Sequence, residues 1–263
     1  MIDFHNHILP NVDDGSKSLE MSLNMLREAE RQGITDVVNT VHYQHPKMDG
    51  KDITFATVNR EIKKLQRALD EENIHIKIHI GSEVFFLPNL VELKKNSLCT
   101  LGNGKYMLIE FEPKNLPEIN RQILFDLKMS GVVPIIAHPE RYEKVQNDIN
   151  ILSEWIQTGC LIQIDGGSLN GSFGISSQKA VIKIVENRMC HLIGSDAHND
   201  NKRNFCLKSA LDQVTKRTNL EFSKELIQNA YKVLEGKKIQ SDFTEVIFKE
   251  LNFLEKIKSK IWK

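Results

Sequence analysis

Short runs of apolar and β-branched residues alternate along the chain with longer stretches whose apolar positions recur at helical spacing. Residues 2–5, 36–41, 74–80, 106–109, 132–137, 161–164 and 191–193 read as strands. Between most of them lie helix candidates. Residues 18–31 carry Leu19, Leu23 and Leu26 on one face, with Gly33 as a stop. Residues 53–69 carry Ile62, Leu65 and Leu69, and 116–129, 149–158, 176–187 and 204–214 follow the same pattern. Strand then helix, repeated about seven times, predicts a single parallel α/β domain. A closed barrel and an open doubly wound sheet share that pattern, and the period alone does not separate them. The last stretch, 243–263, departs from it. Ile247, Leu251, Leu254, Ile257 and Ile261 recur at the spacing expected of one helical face, and Lys256, Lys258, Lys260 and Lys263 crowd the end. This reads as a C-terminal helical extension packed on the domain, with a solvated basic end.

Composition narrows the class. The 263 residues suit one large domain, and 40% hydrophobic content supplies its core. Thirty-five basic residues balance thirty-five acidic ones, which argues against a broad nucleic-acid binder. The four cysteines are scattered, with no C-x-x-C, so a cysteine zinc site and a disulfide framework are both disfavoured. The N-terminus has no basic and apolar leader pattern, and no apolar run reaches the ~20 residues of a membrane span. A cytoplasmic protein is expected.

Candidate chemistry gathers where the strands end. The first strand runs into His5-Asn6-His7, and residues i and i+2 of an extended chain share a face. Asp13 and Asp14 follow in a glycine-ended loop. The other strands run into His42, Gly81-Ser82-Glu83, Glu110, His138-Pro139-Glu140-Arg141, Asp165 and Gly194-Ser195-Asp196-Ala197-His198. In parallel α/β folds those ends share the face where ligands bind. Imidazole and carboxylate without thiolate suit Mn²⁺, Fe²⁺ or Zn²⁺, and this many ligands imply two or three ions. Closely spaced ions on such ligands are a hydrolytic arrangement, in which a bridging water is deprotonated and phosphoryl oxygens are clamped.

The segments "DFHNHILPNVDDGS", "GSEVFF", "YMLIEF", "IIAHPERY", "LIQIDGGSLNG" and "GSDAHN" occur in this order. Over about residues 1–215 the chain resembles the PHP (polymerase and histidinol phosphatase) superfamily. The closer likeness is to its bacterial protein-tyrosine phosphatase branch, associated with capsular and exopolysaccharide synthesis. The resemblance implies a distorted (β/α)₇ barrel, three divalent ions with Mn²⁺ favoured over Fe²⁺ or Zn²⁺, and phosphotyrosine hydrolysis by a metal-bridged hydroxide. It matches His5, His7, Glu83 and Asp196 to a first metal and Asp14, His42 and His198 to a second. Glu110 and His138 match a third, with Glu83 bridging first and third. Arg141 and Arg203 match the positions that bind the substrate phosphate. The implied partner is a phosphotyrosine protein, such as a tyrosine kinase of polysaccharide export.

Two places depart from the branch. His42 sits in "TVHYQHP", which leaves His45 as an alternative contact. Asp165 stands where Asn is more usual and reads as a distal acid or a strand-end hydrogen-bonding group. No cysteine has an arginine six positions later, so the Cys-x₅-Arg loop of thiolate phosphatases is absent. His75 and His79 read as the polar face of a strand, and His191 as structural. The glycine-rich 166–171 segment borders the site or forms a bare turn. The rival functions are a small-metabolite phosphatase, for histidinol phosphate or a similar ester, and a metal-bound sensing or docking module.

Overall fold

The computed structural model describes residues 1–239, so the 243–263 helical extension expected from the sequence lies outside the described residues. Seven strands, β1 (Ile2–Asn6), β2 (Asp36–Tyr43), β3 (Lys77–Phe85), β4 (Tyr106–Glu110), β5 (Val133–Ala137), β6 (Leu161–Asp165) and β7 (Leu192–Gly194), pair in chain order. Every neighbouring pair is parallel. A doubly wound sheet reverses its order at a switch point, and this one never does. Past the end of β7 the chain returns to β1. His7 N–H donates to the Ala197 carbonyl at 2.8 Å, and Asp196 N–H donates to the His5 carbonyl at 2.7 Å. The sheet is thus a nearly closed seven-stranded barrel, the alternative that the period left open.

Alternation along the strands divides apolar from functional positions. Val37, Val41, Val84, Met107, Ile109, Ile136, Ile162 and Ile164 pack in one large cluster with Leu23, Leu26, Leu65 and Leu69 from the flanking helices. The opposite face carries Val38, Leu108, Ile135, Ala137 and Leu161. On that same face, toward the C-terminal ends of the strands, lie His42, Glu83, Glu110, Gln163 and Asp165. Two caps start the first long helices. Ser18 accepts from Met21 N–H to open Leu19–Arg31, and a Thr54–Thr57 capping box opens Phe55–Glu71. Each cap is worth about 1 kcal/mol.

Two departures from the sequence reading matter. Strand β3 begins at Lys77 and continues through Gly81, Ser82 and Glu83, placing Glu83 inside the strand and opposite His42 of β2. The apolar run at 74–80 marked only its first half. A further helix, Leu220–Leu234, packs Ala230 and Val233 against Leu101, Tyr106, Leu161 and Leu192 at the end where the strands begin. Its buried face includes Ser223 and Asn229, which weaken its apolar stripe. Among the described residues no helix is long and apolar enough to cross a membrane.

His191 is structural, as expected. Its Nδ1 accepts from Ile162 N–H at 3.1 Å, and burial pushes its pKa down to about 4. The unfolded ring titrates near 6.5, so its contribution is complete above that pH and is lost as pH falls toward 4. We expect the wild-type protein to lose about 2 kcal/mol more stability than His191→Asn on going from about pH 7 to about pH 5. Asparagine can keep the acceptor and cannot charge. Urea unfolding of both proteins measures the difference, and parallel pH profiles would contradict it.

Candidate metal centre

The barrel mouth brings together all nine residues that the sequence singled out as ligands. Glu83 stands at the middle. Its Oε1 lies 2.8 Å from His138 Nε2, and its Oε2 lies 3.1 Å from His5 Nε2, 3.2 Å from His42 Nδ1 and 3.4 Å from His7 Nε2. Asp196 Oδ1 is 3.4 Å from both His5 and His7. Asp14 Oδ1 is 3.3 Å from His42 and 3.4 Å from His198. Glu110 reaches His42 at 3.5 Å and His138 at 3.7 Å. Three tight sets able to hold an ion are His5–Glu83–His138, His5–His7–Asp196 and His7–Asp14–His42–His198. These sets overlap, so His5 and His7 each belong to two of them.

Outer residues fix which nitrogen faces the centre. His7 Nδ1 lies 2.7 Å from Asp13 Oδ2, His5 Nδ1 lies 2.9 Å from Gln163 Oε1, and His198 Nδ1 lies 2.9 Å from the Asp196 carbonyl. Each of these oxygens accepts the Nδ1 proton, which leaves Nε2 with its lone pair turned inward. Asp13 also accepts from Gly15 N–H and His42 N–H, tying the loop to β2. The sequence reading noted Asp13 without a role and passed over Gln163. The doubled Asp13-Asp14 was the signal for the first; a glutamine inside an apolar strand was the signal for the second.

Backbone geometry completes the aim. By strand alternation His138 would follow Ile136 toward the helices. Its φ of 30° turns it instead into the mouth, and Asp196 has a φ of 44°. Non-glycine residues in this region cost about 1–3 kcal/mol each and concentrate at functional sites. Gly194 is required by close approach, because a Cβ there would stand 2.6 Å from His5 Cβ.

The electrostatics suit cations. Burial raises the Glu83 carboxyl, but His5, His138 and His42 outweigh it and hold the group well below the carboxylate range. Burial and then the Glu83 charge push Glu110 up to about 8. Burial raises the Asp196 carboxyl, but the charges around it, Arg203 and Arg141 foremost, outweigh it and hold the group well below the carboxylate range. Several inward atoms are buried without a hydrogen-bond partner among the described residues: Asp14 Oδ1, His42 Nδ1, Glu110 Oε2 and Asp196 Oδ1. Orphaned imidazole and carboxylate donors facing one another fit divalent metal ions.

Arg141 and Arg203 meet at the edge of this cluster. Both donate to Asp196 Oδ2, Arg141 from Nη1 at 2.6 Å and Arg203 from Nη2. Arg141 Nη2 also pairs with Asp165, a fully buried residue whose other oxygen accepts from Gly167 N–H at 2.7 Å. Asp165 is therefore a strand-end anchor for an arginine. Glu140, buried beside it, accepts from Asp165 N–H at 2.9 Å.

His45 reaches Glu110 Oε2 at 3.6 Å and forms a fourth cluster with His42 and Glu110. Its Nδ1 accepts from Lys47 N–H at 3.1 Å, so Nε2 carries the ring proton. Its inward nitrogen is a hydrogen-bond donor, which removes it from the ligand set. His75 pairs with Glu30 and His79 with Asp36, away from the centre. Burial pushes the thiols of Cys99, Cys160 and Cys206 up to about 12, so they stay protonated at neutral pH.

Comparison with known proteins gives a consistent picture. A family model described as capsular polysaccharide synthesis, CpsB/CapC, matches residues 1–235. The tyrosine-protein phosphatase YwqE of Bacillus subtilis is 34% identical over 240 residues, covering 91% of this chain and 93% of the relative. A solved structure of YwqE from Bacillus subtilis and CpsB from Streptococcus pneumoniae, described as unique metal-dependent tyrosine phosphatases, aligns at TM-score 0.86 over 91% of this chain and 96% of that one. A histidinol phosphate phosphatase from Lactococcus lactis aligns at TM-score 0.56 with 15% identity, over 83% of this chain and 94% of that one, a likeness of fold alone.

Proposed function

The chain belongs to the CpsB/CapC capsular polysaccharide synthesis family and is a metal-dependent tyrosine phosphatase; we propose that its barrel mouth holds three divalent ions, with Mn²⁺ favoured. His5, His7, Glu83 and Asp196 would hold the first ion and Asp14, His42 and His198 the second. Glu110 and His138 would hold the third, with Glu83 shared between first and third. One observation carries this reading: a single buried carboxylate, Glu83, lies within 3.4 Å of four imidazoles from three separate parts of the chain.

When bound, the ions activate water for attack on phosphorus and offset the charge of the phosphate oxygens. The protein's own groups do the rest. Asp13 and Gln163 hold two rings in the tautomer that leaves Nε2 free. Arg141 and Arg203 present planar forks to the phosphate, spreading charge over its equatorial oxygens. Asp196 joins the two halves, with Oδ1 toward His5 and His7 and Oδ2 on both guanidiniums. The leaving tyrosinate has a reference pKa of about 10, so it needs less protonation than an alkoxide. We propose that the substrate is the autophosphorylated tail of a tyrosine kinase governing polysaccharide export. The capsular context of the family supports that choice.

The test uses the purified chain, a phosphotyrosyl peptide and histidinol phosphate. We expect turnover of the peptide with Mn²⁺, loss with a chelator, recovery on adding the ion back, and indifference to thiol alkylation. Turnover of histidinol phosphate with none of the peptide would make the protein a small-metabolite phosphatase. No monoester turnover at full metal occupancy would make it a metal-bound sensing module.

A further inference from the structure

The turn after the glycine-rich segment places an aromatic ring under both arginines. The guanidinium carbon of Arg141 stands 3.6 Å from the centroid of the Phe173 ring, and that of Arg203 stands 5.2 Å from it. We propose that Phe173 is a positioning residue, a shared aromatic platform that holds the Arg141 and Arg203 forks together for the substrate phosphate. This rests on the reading that those two arginines bind that phosphate.

Two cations side by side repel, and each long side chain has rotamers to lose on binding. Carboxylates counter the repulsion: Asp196 accepts from both arginines, and Asp165 accepts from Arg141. Those acids grip the terminal nitrogens. They do not by themselves fix the plane of either fork. A ring face does, because a guanidinium is attracted to the π-surface and settles against it. Stacking leaves the in-plane N–H groups available, and the Nε atoms of both arginines have no hydrogen-bond partner among the described residues.

The local sequence is built to seat this ring. Gly166–Leu169 forms a short turn of helix after β6, and Ser172 N–H returns to the Gly167 carbonyl at 2.9 Å. A Cβ on Gly167 would stand 3.0 Å from Phe173 Cε2, so a side chain there would push the ring aside. The ring also lines a surface cleft of about 180 Å³ with Arg203, Asn204 and Lys202. It is half-buried there, outside both buried apolar clusters.

The experiment compares Mn²⁺-loaded wild type with Phe173→Leu, Phe173→Tyr and Gly167→Ala. It measures metal content, KM and kcat for a phosphotyrosyl peptide, and inhibition by inorganic phosphate. Phe173→Leu is expected to keep its metal and to weaken phosphate inhibition about tenfold. KM should rise more than kcat falls. Phe173→Tyr keeps a ring face and is expected to recover phosphate affinity. Gly167→Ala keeps the ring but displaces it, and should weaken phosphate binding in the same direction by a smaller factor. In an Arg141→Ala background the Phe173→Leu step should lose most of its effect. If Phe173→Leu and Gly167→Ala both bind phosphate like wild type while Arg141→Ala does not, the platform is wrong and the arginine reading stands. If Arg141→Ala and Arg203→Ala also bind phosphate like wild type, the arginine reading falls and the platform falls with it.

Discussion

Replacing Glu83 by glutamine is expected to lower kcat/KM by at least about a thousandfold, which is about 4 kcal/mol of transition-state stabilisation. The side chain keeps its shape and loses one charge. Among the described residues, that charge is the only one within 3.4 Å of His5, His7, His42 and His138 together. Glutamine offers one neutral carbonyl oxygen where two anionic oxygens stood, so the ions proposed to share this residue would be held less tightly. The loss should appear in metal content as well as rate. A ligand that binds only the folded state raises its stability by mass action, so wild type should melt at higher temperature as Mn²⁺ is added. Glu83→Gln should lose most of that shift. His138→Ala should lose metal and activity as well. Glu83→Gln with full metal and wild-type turnover would remove the carboxylate from the centre of the mechanism.

The sequence exposed the site more fully than it exposed the fold. Strand ends are legible because a strand is an apolar run and its candidate ligand is a His or acid at or just after its end. Hence His5, His42, Glu110 and Asp196 could be placed on one face from the pattern alone. Glu83 was found although β3 was drawn too early, since Gly81 and Ser82 interrupt the apolar run inside the strand. His138 was found as a strand-end residue, but its aim depends on a left-handed backbone that no periodicity encodes. Periodicity did not reveal barrel closure, which only the family resemblance implied, because it rests on two backbone hydrogen bonds between His5, His7 and the 196–197 segment. The supporting layer was the least visible. Gln163 looks like a stray polar residue, and Phe173 looks like an ordinary apolar one, until the fold brings His5 and the two arginines beside them.

Arg141→Ala is expected to keep its metal and to lose about a thousandfold in rate, about 4 kcal/mol. Arg203→Ala should lose less. Arg141 is 14% exposed and is held by Asp165, Asp196 and the Phe173 ring, whereas Arg203 is 31% exposed and has Asp196 as its one carboxylate partner among the described residues. The better-held fork loses less freedom when phosphate arrives, so more of its attraction reaches the transition state. Lysine should not rescue position 141, because a point charge cannot hold two oxygens in one plane. The alanine variant has a second effect that must be separated from the first. It leaves Asp165 fully buried beside no arginine, which costs about 3 kcal/mol of stability or more. The double variant Arg141→Ala with Asp165→Asn removes that stranded charge. It should regain much of the stability while the rate stays low. Recovery of both together would mean that Arg141 served only to neutralise Asp165, and an Arg141→Ala enzyme that turns over peptide like wild type would take Arg141 out of phosphate binding altogether.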